Sequence, residues 1–183
     1  MSRDAVLLFL SLLALGAQVA VVSMIVIAVG GRATARARQW LVDVVGPNAT
    51  VLALVVAFVA TSGSLYLSEV AHFTPCVLCW YQRIAMYPLV VILGIAAWRD
   101  DDLWPYVPVI PAIGGTISIY HMLVERFPSL ETSSCDPDNP CSLIWTERFG
   151  YQTIPTMAFS AFALIAALAL TGRAYRLQVA QED

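Results

Sequence analysis

The chain has 183 residues, 59% of them hydrophobic and 13% charged, with a formal net charge of −3 and a mean hydropathy of +0.74. Soluble domains are roughly half apolar and a quarter charged, so a soluble enzyme is excluded. The ten cationic side chains are all arginine and are outnumbered by thirteen acidic ones, which leaves no basic patch of the kind that nucleic acid requires.

In chain order, five apolar runs occupy residues 5–30, 49–70, 84–98, 103–124 and 153–172, and Glu69 is the one formal charge within them. A hydrocarbon core about 30 Å thick is crossed by about 20 apolar helical residues, and backbone polar groups are satisfied there only in helices or closed barrels. The pattern predicts an all-α, polytopic membrane protein. The first run, with Ala35-Arg36-Ala37 behind it, could pass for a signal peptide. It is nevertheless longer than the roughly 7–15 apolar residues of such a segment, and reads as a retained helix. Arg32, Arg36 and Arg38 follow directly, and clustered arginine marks the cytoplasmic end of a span. The amino terminus is then outside, as are the connections 71–83 and 125–152. The turn at 99–102 and the tail with Arg173 and Arg176 are inside.

All four cysteines fall in those two inner outside connections, as Cys76-Val77-Leu78-Cys79 and as Cys135 and Cys141. Thiols confined to one face of a membrane fit an oxidising compartment. Two structural disulfides are the plain reading, but small Cys-x-x-Cys rings are typical of disulfides that open and close. The third run, 84–98, would span only about 22 Å as a helix, short of the hydrocarbon core. Extended back to Leu78 it reaches about 31 Å, with Pro75 ahead as a helix-entry residue. That puts Cys76 and Cys79 at a helix amino terminus, where the dipole favours thiolate. Arg83 lies four residues after Cys79 and seven after Cys76, on one helix face, as a cation beside the thiols. Trp80 and Tyr81 read as interfacial aromatics, and Glu69 as a solvated interfacial residue.

In the outer connection 125–152, Pro128, Pro137 and Pro140 exclude a continuous helix through the first half. Leu143, Ile144, Trp145 and Phe149, set among Glu147 and Arg148, predict a short helix over 142–151 lying on the membrane surface. His121 sits near the outer end of the fourth run.

Pro75-Cys76-Val77-Leu78-Cys79-Trp80-Tyr81-Gln82-Arg83, then the Cys-x5-Cys loop, then Phe149-Gly150-Tyr151-Gln152-Thr153-Ile154-Pro155, together resemble the DsbB family of disulfide bond formation proteins, and within it the BdbC-like branch. The resemblance covers about 49–172. It implies a DsbB-like four-helix bundle, to which this chain adds one N-terminal transmembrane helix. Residues 1–47 are then the added helix and a basic cytoplasmic loop, and 48–183 the DsbB-like part with two extracytoplasmic cysteine loops. The implied location is the cytoplasmic (inner) membrane of a prokaryote.

The implied activity is that of a thiol:quinone oxidoreductase, which reoxidises an extracytoplasmic DsbA-like, thioredoxin-fold thiol oxidase and passes the electrons to a membrane quinone, ubiquinone or menaquinone. By the same resemblance Cys135 receives the partner's thiolate and is paired with Cys141. Cys141 attacks Cys76, releasing Cys79, and electrons leave from Cys79 with Arg83 stabilising the charge. His121, Ile154 and Pro155 are carried over as quinone contacts, and no metal is implied. Many relatives in the family have a carboxylate where Gln82 stands here. The alternatives are a scaffold or transporter stapled by disulfides, a four-cysteine zinc site, and a vitamin K epoxide reductase-like enzyme, whose loop cysteines precede its Cys-x-x-Cys rather than follow it.

Overall fold

A computed structural model describes residues 3–99 and 106–182, and among these the regular structure is helical throughout. Six α-helices follow in order: α1 Arg3–Val29, α2 Ala35–Val45, α3 Ala49–Leu65, α4 Val77–Arg99, α5 Tyr106–Arg126 and α6 Ile154–Glu182. Five membrane-spanning candidates emerge, because α2 and α3 join through the 3-10 turn Gly46–Asn48 into one stretch, Gly31–Val70. The connection expected to be a basic loop is therefore largely helical. The turn expected near 99–102 and the start of the fourth run at 103 lie mostly outside the described residues.

Helix α4 begins at Val77, one residue before the start that membrane thickness demanded. It runs through Pro88, and α5 runs through Pro111, which membrane helices tolerate because neighbouring helices make good the lost hydrogen bonds. The carboxy-terminal end of α3 widens into a π-helical turn at Tyr66–Val70, a form that concentrates at functional sites because it disturbs the regular pairing of backbone carbonyls.

The core lies between α3, α4 and α6, where Ala57, Leu89, Leu93, Phe162 and Ile165 are essentially inaccessible. Small residues set the helix spacing: a Cβ on Gly114 of α5 would fall 2.3 Å from Phe162 Cζ. Against this bundle α1 runs parallel to α6. Asp4 pairs with Arg148 at 2.9 Å, the Gln152 amide donates to the Ser11 carbonyl at 3.0 Å, and the Gln18 amide donates to Ser160 Oγ at 2.9 Å. The amino-terminal end of α1 is thus at the same end of the bundle as the cysteine connections.

The helix expected over 142–151 is not formed. Residues 148–152 close instead into a turn, with Arg148 N–H donating to Gln152 O at 2.9 Å and Gln152 N–H returning to Arg148 O at 2.8 Å. Phe149 and Gly150 sit at φ +55° and +74°, left-handed conformations that end any helix. The apolar side chains that suggested a surface helix are spent separately; Trp145 stacks on Phe73 with ring centroids 5.0 Å apart.

Candidate functional site

Two side chains one helical turn apart at the start of α4 meet different surroundings. Cys76, 5% exposed, packs with Leu78, Val124, Cys135 and Cys141. Cys79 faces a separate cavity of about 350 Å³. Their sulfurs are 3.1 Å apart as free thiols, while Cys135 and Cys141 form a disulfide. The loop carrying that disulfide is tied down on both sides. Asn139 donates from its amide to the Pro75 carbonyl at 3.2 Å, and Glu131 accepts from the Cys141 N–H and, at 2.9 Å, from Ser142 Oγ.

His121 joins the two pairs. Its Nε2 lies 3.0 Å from the Cys141 carbonyl oxygen and 3.7 Å from Cys76 Sγ, and its Nδ1 has no hydrogen-bond partner among the described residues. The imidazole stands between the two cysteine pairs and is not part of the cavity wall. One turn further along α5, Glu125 accepts from Thr153 Oγ1 at 2.7 Å.

Cys76 lies just before the first residue of α4, and its thiol is pushed down to about 4. The hydrogen bond from the Cys79 thiol is the largest cause; burial opposes it, and the hydrogen bond and charge of His121 add to it. The Cys79 backbone N–H also points at Cys76 Sγ, at 3.4 Å. The lowered pKa favours the thiolate of a reduced Cys76, the form that attacks disulfides and also the better leaving group.

The cavity has one polar end and an apolar body. Cys79, Gln82, Arg83 and Ser64 line the former, and residues of α1, α3, α4 and α6 the latter. Arg83 is fixed there by two bonds to a single residue, Nε to Ser64 Oγ at 3.0 Å and Nη2 to the Ser64 carbonyl at 2.9 Å, with the Trp80 ring 5.2 Å from the guanidinium. Tyr87 OH completes the network at 3.3 Å from Ser64 Oγ. Gln82, buried, donates to Ser118 Oγ at 3.1 Å. Ile154 lines the cavity, whereas Pro155 is fully buried beside it and is not part of the wall. Such a space takes an apolar molecule with acceptor oxygens at one end.

Ser64 and Tyr87 escaped the sequence reading. The run Thr61-Ser62-Gly63-Ser64 inside an otherwise apolar helix was the signal for the first of them. Among the described residues, metal binding has one candidate set outside the disulfide: Cys76, Cys79 and His121 bring their donor atoms within 4.8 Å of one another, a three-ligand arrangement that zinc accepts. A four-cysteine site is not formed, since two of the sulfurs are bonded to each other.

The family model described as Disulfide bond formation protein DsbB matches residues 46–172. Disulfide bond formation protein C of Bacillus subtilis (strain 168) is 49% identical over 113 residues, covering 61% of this chain and 82% of the relative. A probable disulfide formation protein of Oceanobacillus iheyensis is 42% identical over 126 residues, 67% of this chain and 87% of its own. Another from Coxiella burnetii is 40% identical over 126 residues, 64% and 86%. No solved structure matches the chain significantly.

Proposed function

Since the chain belongs to the DsbB family of disulfide bond formation proteins, we propose that it is a membrane thiol:quinone oxidoreductase of a prokaryotic cytoplasmic membrane. Its cysteine-bearing end faces outward and reoxidises an extracytoplasmic thioredoxin-fold thiol oxidase. The observation that carries the reading is the division between the α4 thiols: Cys76 against the second cysteine pair, and Cys79 against an apolar cavity with a cation at its polar end.

The chain's own part is a sequence of thiolate attacks, each exchanging one S–S bond for another. A partner thiolate attacks Cys135, forming a mixed disulfide and releasing Cys141 as thiolate. Cys141 attacks Cys76 of an oxidised Cys76–Cys79 pair, and Cys79 leaves as thiolate. The partner's second thiolate then displaces Cys135, which completes the partner's disulfide. Cys135 attacks Cys141, re-forming their bond and releasing Cys76. Two electrons have moved from the partner to Cys76 and Cys79. The low pKa of Cys76 makes it the good leaving group of the last exchange. His121 holds the Cys141 carbonyl next to Cys76 Sγ and so serves the exchange between the pairs.

The cavity suits a quinone, because its apolar body matches an isoprenoid tail and the Arg83 guanidinium supplies donors for a ring oxygen. Bound there, a quinone would supply the acceptor for the electron pair and two protons. Arg83, Gln82 and Ser64 would hold its oxygen end, and Ile154 would pack on its carbon.

A partner lacking its second cysteine tests the relay, since its one thiolate should open the Cys135–Cys141 bond and remain on Cys135 as a mixed disulfide. A reduced partner with both cysteines should reduce Cys76 and Cys79, and added quinone should oxidise them again. Stoichiometric zinc on Cys76, Cys79 and His121 in the purified protein, or thiols that quinone leaves reduced, would overturn the reading.

A further inference from the structure

The first helix lies outside the family-matched segment 46–172, yet it forms a wall of the cavity. Leu10, Leu13, Ala14, Gly16 and Ala17 of α1 face the same space as Cys79 and Arg83. At the polar end α1 presses on α3 where α3 has no side chain: a Cβ on Gly63, next to Ser64, would lie 2.9 Å from Leu10 Cδ2. Above that level Leu7 packs with Leu67, Ala71 and Phe73, and the Arg3 guanidinium stands 4.6 Å over the Phe73 ring, which also stacks on Trp145. Further down, Gln18 is held between Tyr151 OH at 2.7 Å and Ser160 Oγ at 2.9 Å. A glutamine in a lipid-embedded helix is costly unless its amide is bonded, so these contacts fix the rotation of α1 and turn its small residues toward the cavity.

The cavity is also longer than a ring requires. Its wall on α6 extends from Ile154 to Leu164, roughly 15 Å at 1.5 Å per residue. The polar groups gather at one end, Ala14, Gly16 and Ala17 lie along the apolar length, and nothing lies within 4 Å of where a Gly16 Cβ would be.

Resting on the quinone reading above, we infer that α1 is the tail-binding wall of the quinone site, with Leu13, Ala14, Gly16 and Ala17 selecting for the isoprenoid chain. The family-matched helices provide the ring end; α1 closes what would otherwise be an opening to lipid between α3 and α6.

The test uses the full chain in lipid nanodiscs and a quinone bearing a photoreactive group on its first isoprenoid units. Adducts are expected on residues 10–17 of α1 as well as on α6. Adducts on α3, α4 or α6 with none on α1 would overturn the inference and leave the quinone reading standing, whereas no adducts anywhere in the chain would overturn both. As a second measurement, Ala17→Trp should raise the Kd of a tailed quinone relative to a tailless one by roughly tenfold. Val22→Trp, on the exposed face of α1 and outside the cavity wall, should leave that ratio unchanged. An unchanged ratio in Ala17→Trp, or an equal rise in both variants, refutes the selection.

Discussion

Replacing Cys79 by alanine isolates the main reason why Cys76 is a thiolate. The Cys79 Sγ lies 3.1 Å from Cys76 Sγ and is the strongest of three stabilising neighbours; the Cys79 N–H at 3.4 Å and His121 Nε2 at 3.7 Å survive the substitution. A hydrogen bond to a charged group contributes about 1.5–3 kcal/mol, and one pKa unit corresponds to about 1.4 kcal/mol, so Cys79→Ala should raise the Cys76 pKa by about one to two units. It should not return to the ordinary thiol range, because the other two neighbours remain. The assay is the pH dependence of Cys76 alkylation by iodoacetamide in the reduced protein, with the Cys135–Cys141 disulfide left intact. The same depression fixes a sign for stability. In the folded, reduced protein Cys76 loses its proton near 4, and in the unfolded chain only in the ordinary thiol range. Between those values the unfolded state binds the extra proton, so the contribution of Cys76 to the stability of the reduced form rises with pH up to the ordinary thiol range and is lost as pH falls toward 4. A midpoint that stays put or falls in Cys79→Ala would refute the argument that the neighbouring thiol holds the charge.

Arg83→Ala should slow quinone-dependent oxidation of Cys76 and Cys79 by roughly ten- to a hundredfold, the worth of a charge-assisted bond, while mixed-disulfide formation at Cys135 proceeds normally. Arg83→Lys should rescue only in part, because one ammonium cannot reproduce the forked contact with Ser64 Oγ and carbonyl. Gly114→Ala should destabilise the bundle by about 1–3 kcal/mol, since Phe162 would have to leave its inaccessible site; Gly94→Ala, whose nearest atom would be 3.9 Å away, serves as the control in a denaturation series. A cysteine placed at position 2 should react with a membrane-impermeant label from outside the cell, and labelling only after lysis would put α1 in the other orientation.

What the sequence determined by itself was governed by length and by local order. A bilayer imposes one dimension, so apolar run length was enough to find the spans, and a third run too short to cross forced α4 back to the cysteines, where it begins at Val77. The four cysteines, Arg83 and the Phe149–Pro155 segment were recognisable because their spacing is local. Tertiary structure decided which neighbour each of them meets. Cys76 and Cys79 are three residues apart, yet one packs on a distant loop and the other opens into a cavity, because adjacent helix faces are covered by different parts of the chain. His121 lies between the cysteine pairs because the connection between α5 and α6 folds back over the carboxy-terminal end of α5. The 142–151 segment has the composition of a surface helix but closes a turn through Phe149 and Gly150, since ladder bonds between Arg148 and Gln152 and the stacking of Trp145 on Phe73 outweigh its local preference. The polar run 61–64 marks Ser64 within an apolar helix, but its role arises only where α4 delivers Arg83 beside it. The first helix is the clearest case: its sequence says that it spans, and only its packing against α3 and α6 makes it a wall of the site.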